Sequence, residues 1–192
     1  MDRRFAGLGL VLAAALALGA CSTSPVVAPS KFPKPVLRKV PVAMGLYMDP
    51  GFRTYVHHDK PVKAPAQDVS VGGASQALFT EFLTAQFASL TVLPAEPGAQ
   101  APPSVQGVLQ PVIQDVQIAS PRNEKDEFFE AWIRYRLRLL TPQGQELTSW
   151  DLAAYGKDRA PTIGGINAGL TAAVNEAMRD AAAGMALIFR DG

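Results

Sequence analysis

The most regular pattern in the chain runs from Phe128 to Leu140. Phe129, Ala131, Ile133, Tyr135, Leu137 and Leu139 alternate there with Glu130, Trp132, Arg134, Arg136 and Arg138. One apolar and one polar row at period two predict an antiparallel strand with one buried and one wet face. Thr141-Pro142-Gln143-Gly144 reads as a type I turn in which Gly144 is free to take positive φ. Residues 146–155 then return as the partner strand. Val105 to Ala119 alternates less cleanly, and the phase slip at Pro111 predicts a bulge or an edge position. Near the start, Val42, Met44, Leu46 and Met48 alternate with Ala43, Gly45 and Tyr47, which predicts a strand. Asp49-Pro50-Gly51 has turn composition, Phe52, Tyr55 and Val56 suit a second short strand, and residues 57–71 read as a polar surface loop.

Two stretches follow a helical period instead. Leu78, Phe79, Phe82, Leu83, Phe87 and Leu90 recur at three- and four-residue spacing, behind a Gly72-Gly73-Ala74-Ser75 opening that places Ser75 or Gly73 near the N-cap. Pro94 stops whatever follows, and residues 95–104 form a Pro- and Gly-rich loop. The last stripe is Ile166, Leu170, Val174, Met178, Ala181, Met185 and Ile188. Small residues beside it, Ala177, Ala181 and Gly184, would let this helix sit close to a sheet. The order β-(β)-α-β-β-β-α predicts an α+β two-layer sandwich. Its sheet has about four to five mostly antiparallel strands, with two helices on one face. A single domain over residues 42–192 is long enough to bury a real core.

The first forty residues do not fit that domain. Arg3 and Arg4 precede an apolar run from Phe5 to Leu18, followed by Gly19 and Ala20. This is the make-up of a secretory signal peptide over residues 1–20, and the run is shorter than the roughly 20 residues a membrane-spanning helix wants. Leu18-Gly19-Ala20-Cys21 matches the lipobox of bacterial lipoproteins at all four positions. That resemblance implies cleavage before Cys21, with diacylglycerol and an N-acyl chain on the cysteine; no other cofactor is expected. Cys21 is the one cysteine in the chain, so it has no internal disulfide partner, and two or more acyl chains anchor stably where one does not. In the sorting rule of this class, Asp at the second mature position retains a lipoprotein in the inner membrane. Ser22 stands there, which implies the inner leaflet of an outer membrane, facing the periplasm. Residues 21–41 then read as a lipidated, proline-rich tether. At about 3.1 Å per residue the twenty residues after Cys21 reach roughly 60 Å, and the segment's lysines and arginine could rest on anionic head groups.

Charge narrows the partners. Removing residues 1–20 takes Arg3, Arg4 and Asp2 from 18 basic and 17 acidic residues, leaving 16 of each. A neutral mature chain has no overall field to draw it to nucleic acid. His57 and His58 are adjacent, and in an extended segment they point apart, which makes a poor chelate; no metal site is expected. Gly72-Gly73 and Gly164-Gly165 each precede a helix but lack phosphate-loop spacing. Ser75 and Ser149 lack the flanking glycines of a nucleophile elbow. No nucleophile, base and metal set is visible, so no enzymatic activity is expected. Asp151 and Glu130 could form a carboxylate pair, but pairing with the arginines explains them more simply.

Arg134, Arg136 and Arg138 share one face, about 7 Å apart in succession, with Trp132 continuing the row and Trp150 expected on the facing strand. Such a face could bind an anionic glycan, a lipid phosphate or an acidic partner. It could equally be an open sheet face kept wet by long charged side chains, with Glu146 and Asp151 neutralising the arginines; that simpler reading is preferred. The lipobox, the prolyl tether and the element order together resemble a loose group of small periplasmic lipoproteins. That group includes the curli-secretion lipoprotein, the lipoprotein activators of penicillin-binding proteins, the lipopolysaccharide-assembly lipoprotein and the N-terminal domain of the Tol-system propeller. The resemblance covers element order over residues 42–192 and transfers no site residue. It implies non-enzymatic work as a membrane-anchored interaction, scaffold or accessory module with a protein partner in the envelope. The alternative is a binder of lipopolysaccharide or peptidoglycan through the Trp132/Arg134/Arg136/Arg138 face.

Overall fold

The computed structural model describes residues 27, 39–59, 67–98, 104–121, 127–159 and 165–190. The expected signal peptide, the Leu18-Gly19-Ala20-Cys21 motif and nearly all of the 21–41 segment lie outside them.

The chain folds as the α+β two-layer sandwich expected. Five strands form the main sheet in the order β4-β1-β5-β6-β7. They are β1 (Val40–Leu46), β4 (Phe87–Val92), β5 (Gly107–Ala119), β6 (Phe128–Leu140) and β7 (Glu146–Arg159). The hairpin β6–β7 and the pair β5–β6 are antiparallel, whereas β1 lies parallel to both its neighbours. Two long helices, α2 (Gly72–Gln86) and α3 (Gly165–Ile188), cover one face and share a core with it. A one-turn helix α1 (Pro50–Arg53) and a separate ribbon of β2 (Val56–Asp59) and β3 (Gln67–Ser70) complete the described elements.

Several local expectations shift. Asp49-Pro50-Gly51 starts α1 rather than a plain turn: Asp49 Oδ1 accepts from the Phe52 N–H at 2.9 Å, and Pro50 fills the first helical position, where its missing N–H costs nothing. The expected loop 57–71 contains the ribbon β2–β3, where His58 Nδ1 lies 2.7 Å from Asp68 Oδ1. Phe87 and Leu90 leave the helix. The chain turns extended at Phe87, and β4 pairs with β1 from there. Ser75 is not the N-cap. It lies one turn inside α2, fully buried, with its Oγ 2.9 Å from the Tyr135 hydroxyl. The slip in β5 is a register shift between Ile113 and Asp115. Pro111 is tolerated two residues beyond Leu109, the last position paired to β1.

Val27 changes the reading of the tether. It is 2% exposed, belongs to the main core, and its N–H donates to the Ser70 carbonyl at 3.2 Å. The segment expected to be a free lead through residue 41 therefore touches the domain only six residues after Cys21.

Glycine sets how closely α3 lies on the sheet. A Cβ on Gly156 of β7 would run into the Ala173 carbonyl oxygen and the Ala177 nitrogen, and one on Gly169 into the Phe129 ring. The helix thus rests backbone to backbone on β7. Leu170, Val174, Met178 and Met185 point from it into the core.

Candidate functional site

The face of the sheet opposite the helices is where the expected site residues lie, and its two ends differ. At one end, the chain after β4 folds over it, and Leu93, Val105, Val108 and Leu140 make a second small core with Tyr47. The other end carries no covering element among the described residues.

A bulge decides which residues reach this face. Leu140 pairs with Glu146, but Leu139 pairs with Thr148, so Leu147 is the extra residue of β7. A one-residue shift moves every later side chain to the opposite face. Trp150 consequently pairs with Leu137 and packs on the helix side, its ring 6.4 Å from that of Phe189. The expectation that Trp150 joins the arginine face is corrected here: without the bulge it would oppose Arg136, and with it Asp151 does. The same shift brings Tyr155 beside Trp132, which no period-two count through the turn would show.

Trp132, Arg134, Arg136 and Arg138 do share the open face, and each arginine has an acid. Arg136 grips Asp151 with both prongs of its guanidinium, at 2.8 and 3.1 Å. Arg138 donates to Glu146 at 2.7 Å and to Gln110 at 2.8 Å. Arg134 lies 3.9 Å from Asp115, which also accepts from Gln117 at 2.9 Å. Farther along, Lys157 meets Glu130 at 3.1 Å and Arg159 meets Glu127 at 2.6 Å. The guanidinium hydrogen bonds hold the carboxyls of Asp151 and Glu146 below their ordinary range, and Asp151 in turn raises Arg136. Asp151 and Glu130 are not a carboxylate pair, since each faces its own cation. Five cations and five anions thus cancel across this face. Exposed pairs of this kind add little stability, but they leave little positive potential to hold an anion.

What remains unmatched is aromatic. Trp132 and Tyr155 are each 40% exposed, with ring centroids 5.1 Å apart. The Tyr155 hydroxyl donates to Glu130 at 3.1 Å; desolvation and this bond raise its pKa. Phe128 is 39% exposed, with the Lys157 ammonium 4.2 Å from its ring centre and the Arg159 guanidinium 5.8 Å away. The Trp132–Tyr155 pair, with Phe128 beyond Glu130 and Lys157 on the same face, gives this end of the sheet a composition enriched at recognition surfaces. Phe128 and Tyr155 were not singled out from the sequence. The first stood at the end of a strand, and the second depended on the bulge.

No family model matches the chain, and no curated protein matches it in sequence. The fold is shared with a solved structure. A Xanthomonas campestris protein assigned to the DUF330 family superposes with a TM-score of 0.54 at 12% identity, over 88% of this chain and 97% of that one. A minor lipoprotein of Acinetobacter baumannii superposes with a TM-score of 0.46 at 13% identity, over 79% of this chain and 92% of that one. Among the described residues, no helix is long and apolar enough to cross a membrane.

Proposed function

We propose that this chain is a lipoprotein cleaved before Cys21, acylated there, and held in the inner leaflet of the outer membrane, facing the periplasm. Its domain serves as a non-enzymatic interaction module of a cell-envelope assembly, and the open sheet face is its contact surface. The observation that carries this reading is the contrast on that face. The arginines are spent on neighbouring carboxylates, while Trp132 and Tyr155 stand together, exposed and uncovered. Buried aromatic anchors dominate the energetics of protein contacts, and a charge-balanced rim suits a partner recognised by shape and hydrogen bonding.

Binding of lipopolysaccharide or peptidoglycan through the arginines is the competing reading. It would require an anion to displace Asp151 from a two-pronged contact. The two readings separate in crosslinked envelopes. A Trp132→Ser/Tyr155→Ser variant should lose the protein recovered with the wild type, and an Arg134→Gln/Arg136→Gln/Arg138→Gln variant should keep it. Loss with the arginine variant and retention with the aromatic one would overturn the proposal in favour of the anionic ligand.

A further inference from the structure

We infer that the end of the domain built from the β2–β3 ribbon is its membrane-facing surface, held against the lipid head groups by Val27. This rests on the acylation of Cys21 proposed above. Val27 is buried in the main core, and its N–H donates to the Ser70 carbonyl at the end of β3. Six residue steps separate it from Cys21, and an extended chain spans at most about 3.6 Å per step, or about 21 Å, whatever its conformation. A lead running free to residue 39 would span about three times as much. The chain length thus ties one identified place on the domain to the bilayer. Residues after Val27 add nothing to that distance, because their two ends are both fixed to the domain, at Val27 and at β1. The occupant of this surface is the lipid to which the chain is joined. Among the described residues, His57, His58 and Asp68 of the ribbon share its ladder with Ser70, and Arg53 and Thr54 at the end of α1 precede Tyr55, whose carbonyl accepts from Val71 and Gly72.

The same insertion placed on either side of Val27 tests this. The full-length acylated protein is reconstituted in phosphatidylethanolamine/phosphatidylglycerol vesicles, with a donor dye on a Thr54→Cys side chain and acceptor-labelled lipid. Inserting about 18 Gly and Ser residues between Ser24 and Pro25 doubles the root-mean-square lead, from about 13 to about 27 Å, and energy transfer should fall to less than about half. The same insertion between Pro33 and Lys34 should leave transfer at the wild-type value, and combining it with Val27→Asp should lower it. Equal losses from both insertions, in proteins with unchanged unfolding midpoints, would overturn the role of Val27 while leaving the anchor intact. A chain that carries no acyl mass and does not float with vesicles would overturn the anchor itself, and this inference with it.

Discussion

Gly156→Ala adds one methyl group where the structure has no room for it. Gly156 lies in β7 directly under α3, and the new Cβ would meet the Ala173 carbonyl oxygen and the Ala177 nitrogen inside van der Waals contact. Both obstacles are helix backbone, so no rotamer change relieves them; α3 has to lift by about 1 Å or the strand has to buckle. A radial gap of 0.5–1 Å forfeits roughly a quarter to a half of each dispersion contact. Leu170, Val174, Met178 and Met185 are the large side chains that α3 buries, none more than 1% exposed. Each is worth roughly 2 kcal/mol when fully buried, so lifting the helix costs about 2–4 kcal/mol, at or above the usual cost of overpacking. For a domain of this size, that lowers the melting temperature by roughly 5–15 °C. Thermal and urea unfolding of the soluble domain, followed by circular dichroism, would measure it. A Gly156→Ala protein within about 0.5 kcal/mol of the wild type would mean that α3 does not rest on β7 as described.

Two further perturbations probe the core and the open face. Tyr135→Phe leaves the buried Ser75 Oγ without its partner at 2.9 Å, a loss of about 1–3 kcal/mol. Ser75→Ala should cost a similar amount and the double variant less than their sum, so additive losses in urea unfolding would rule the bond out. Asp151 and Glu146 have folded pKa values below their ordinary ones of 3.8 and 4.5, so their contribution is present above those values and lost as pH falls through the lower folded ones. Unfolding midpoints of the wild type should therefore drop more steeply below about pH 4 than those of an Asp151→Asn/Glu146→Gln variant; parallel curves would contradict the pairing.

How much of this was legible in the sequence depends on whether one period or two could explain a stretch. The β6 alternation, the turn at Gly144 with its φ of 91°, and the α3 stripe from Leu170 to Met185 each had one consistent reading and stand as expected, whereas Ile166 at the head of that stripe is exposed. Phe87 and Leu90 fitted both a helix continued from Phe82 and a strand of six residues. The choice was made by pairing with β1, more than forty residues away. Trp150 and Tyr155 show the same limit at the site. Their faces follow from the single extra residue Leu147 at the start of β7, and a bulge inside a hairpin carries no distinctive side chain to announce it. Val27 was hidden for a different reason. A Val26-Val27 pair between prolines looks like linker, and only a long-range contact with β3 makes Val27 core.

Val27 and the aromatic patch are connected through the β2–β3 ribbon and the β5–β6 ladder. Val27 bonds to Ser70, and the next two residues, Val71 and Gly72, donate to the carbonyl of Tyr55. Tyr55 is close enough to Asp115 for that carboxylate to raise its pKa, after the larger effect of its own burial. Asp115 stands opposite Arg134 in the β5–β6 ladder, and Trp132 is two residues farther along β6, about 7 Å at strand spacing. The opposite end of the open face, under Leu93 and Val105, is the covered one. If Cys21 carries the proposed lipid, a short lead at Val27 would place the uncovered, aromatic end of the face nearer the bilayer and the covered end farther from it. A partner meeting Trp132 and Tyr155 would have to be found close to the membrane surface, whereas a domain on a free 60 Å lead could search across the periplasm. In that geometry the proposed anchor would restrict which partners are within reach as well as which membrane holds the protein.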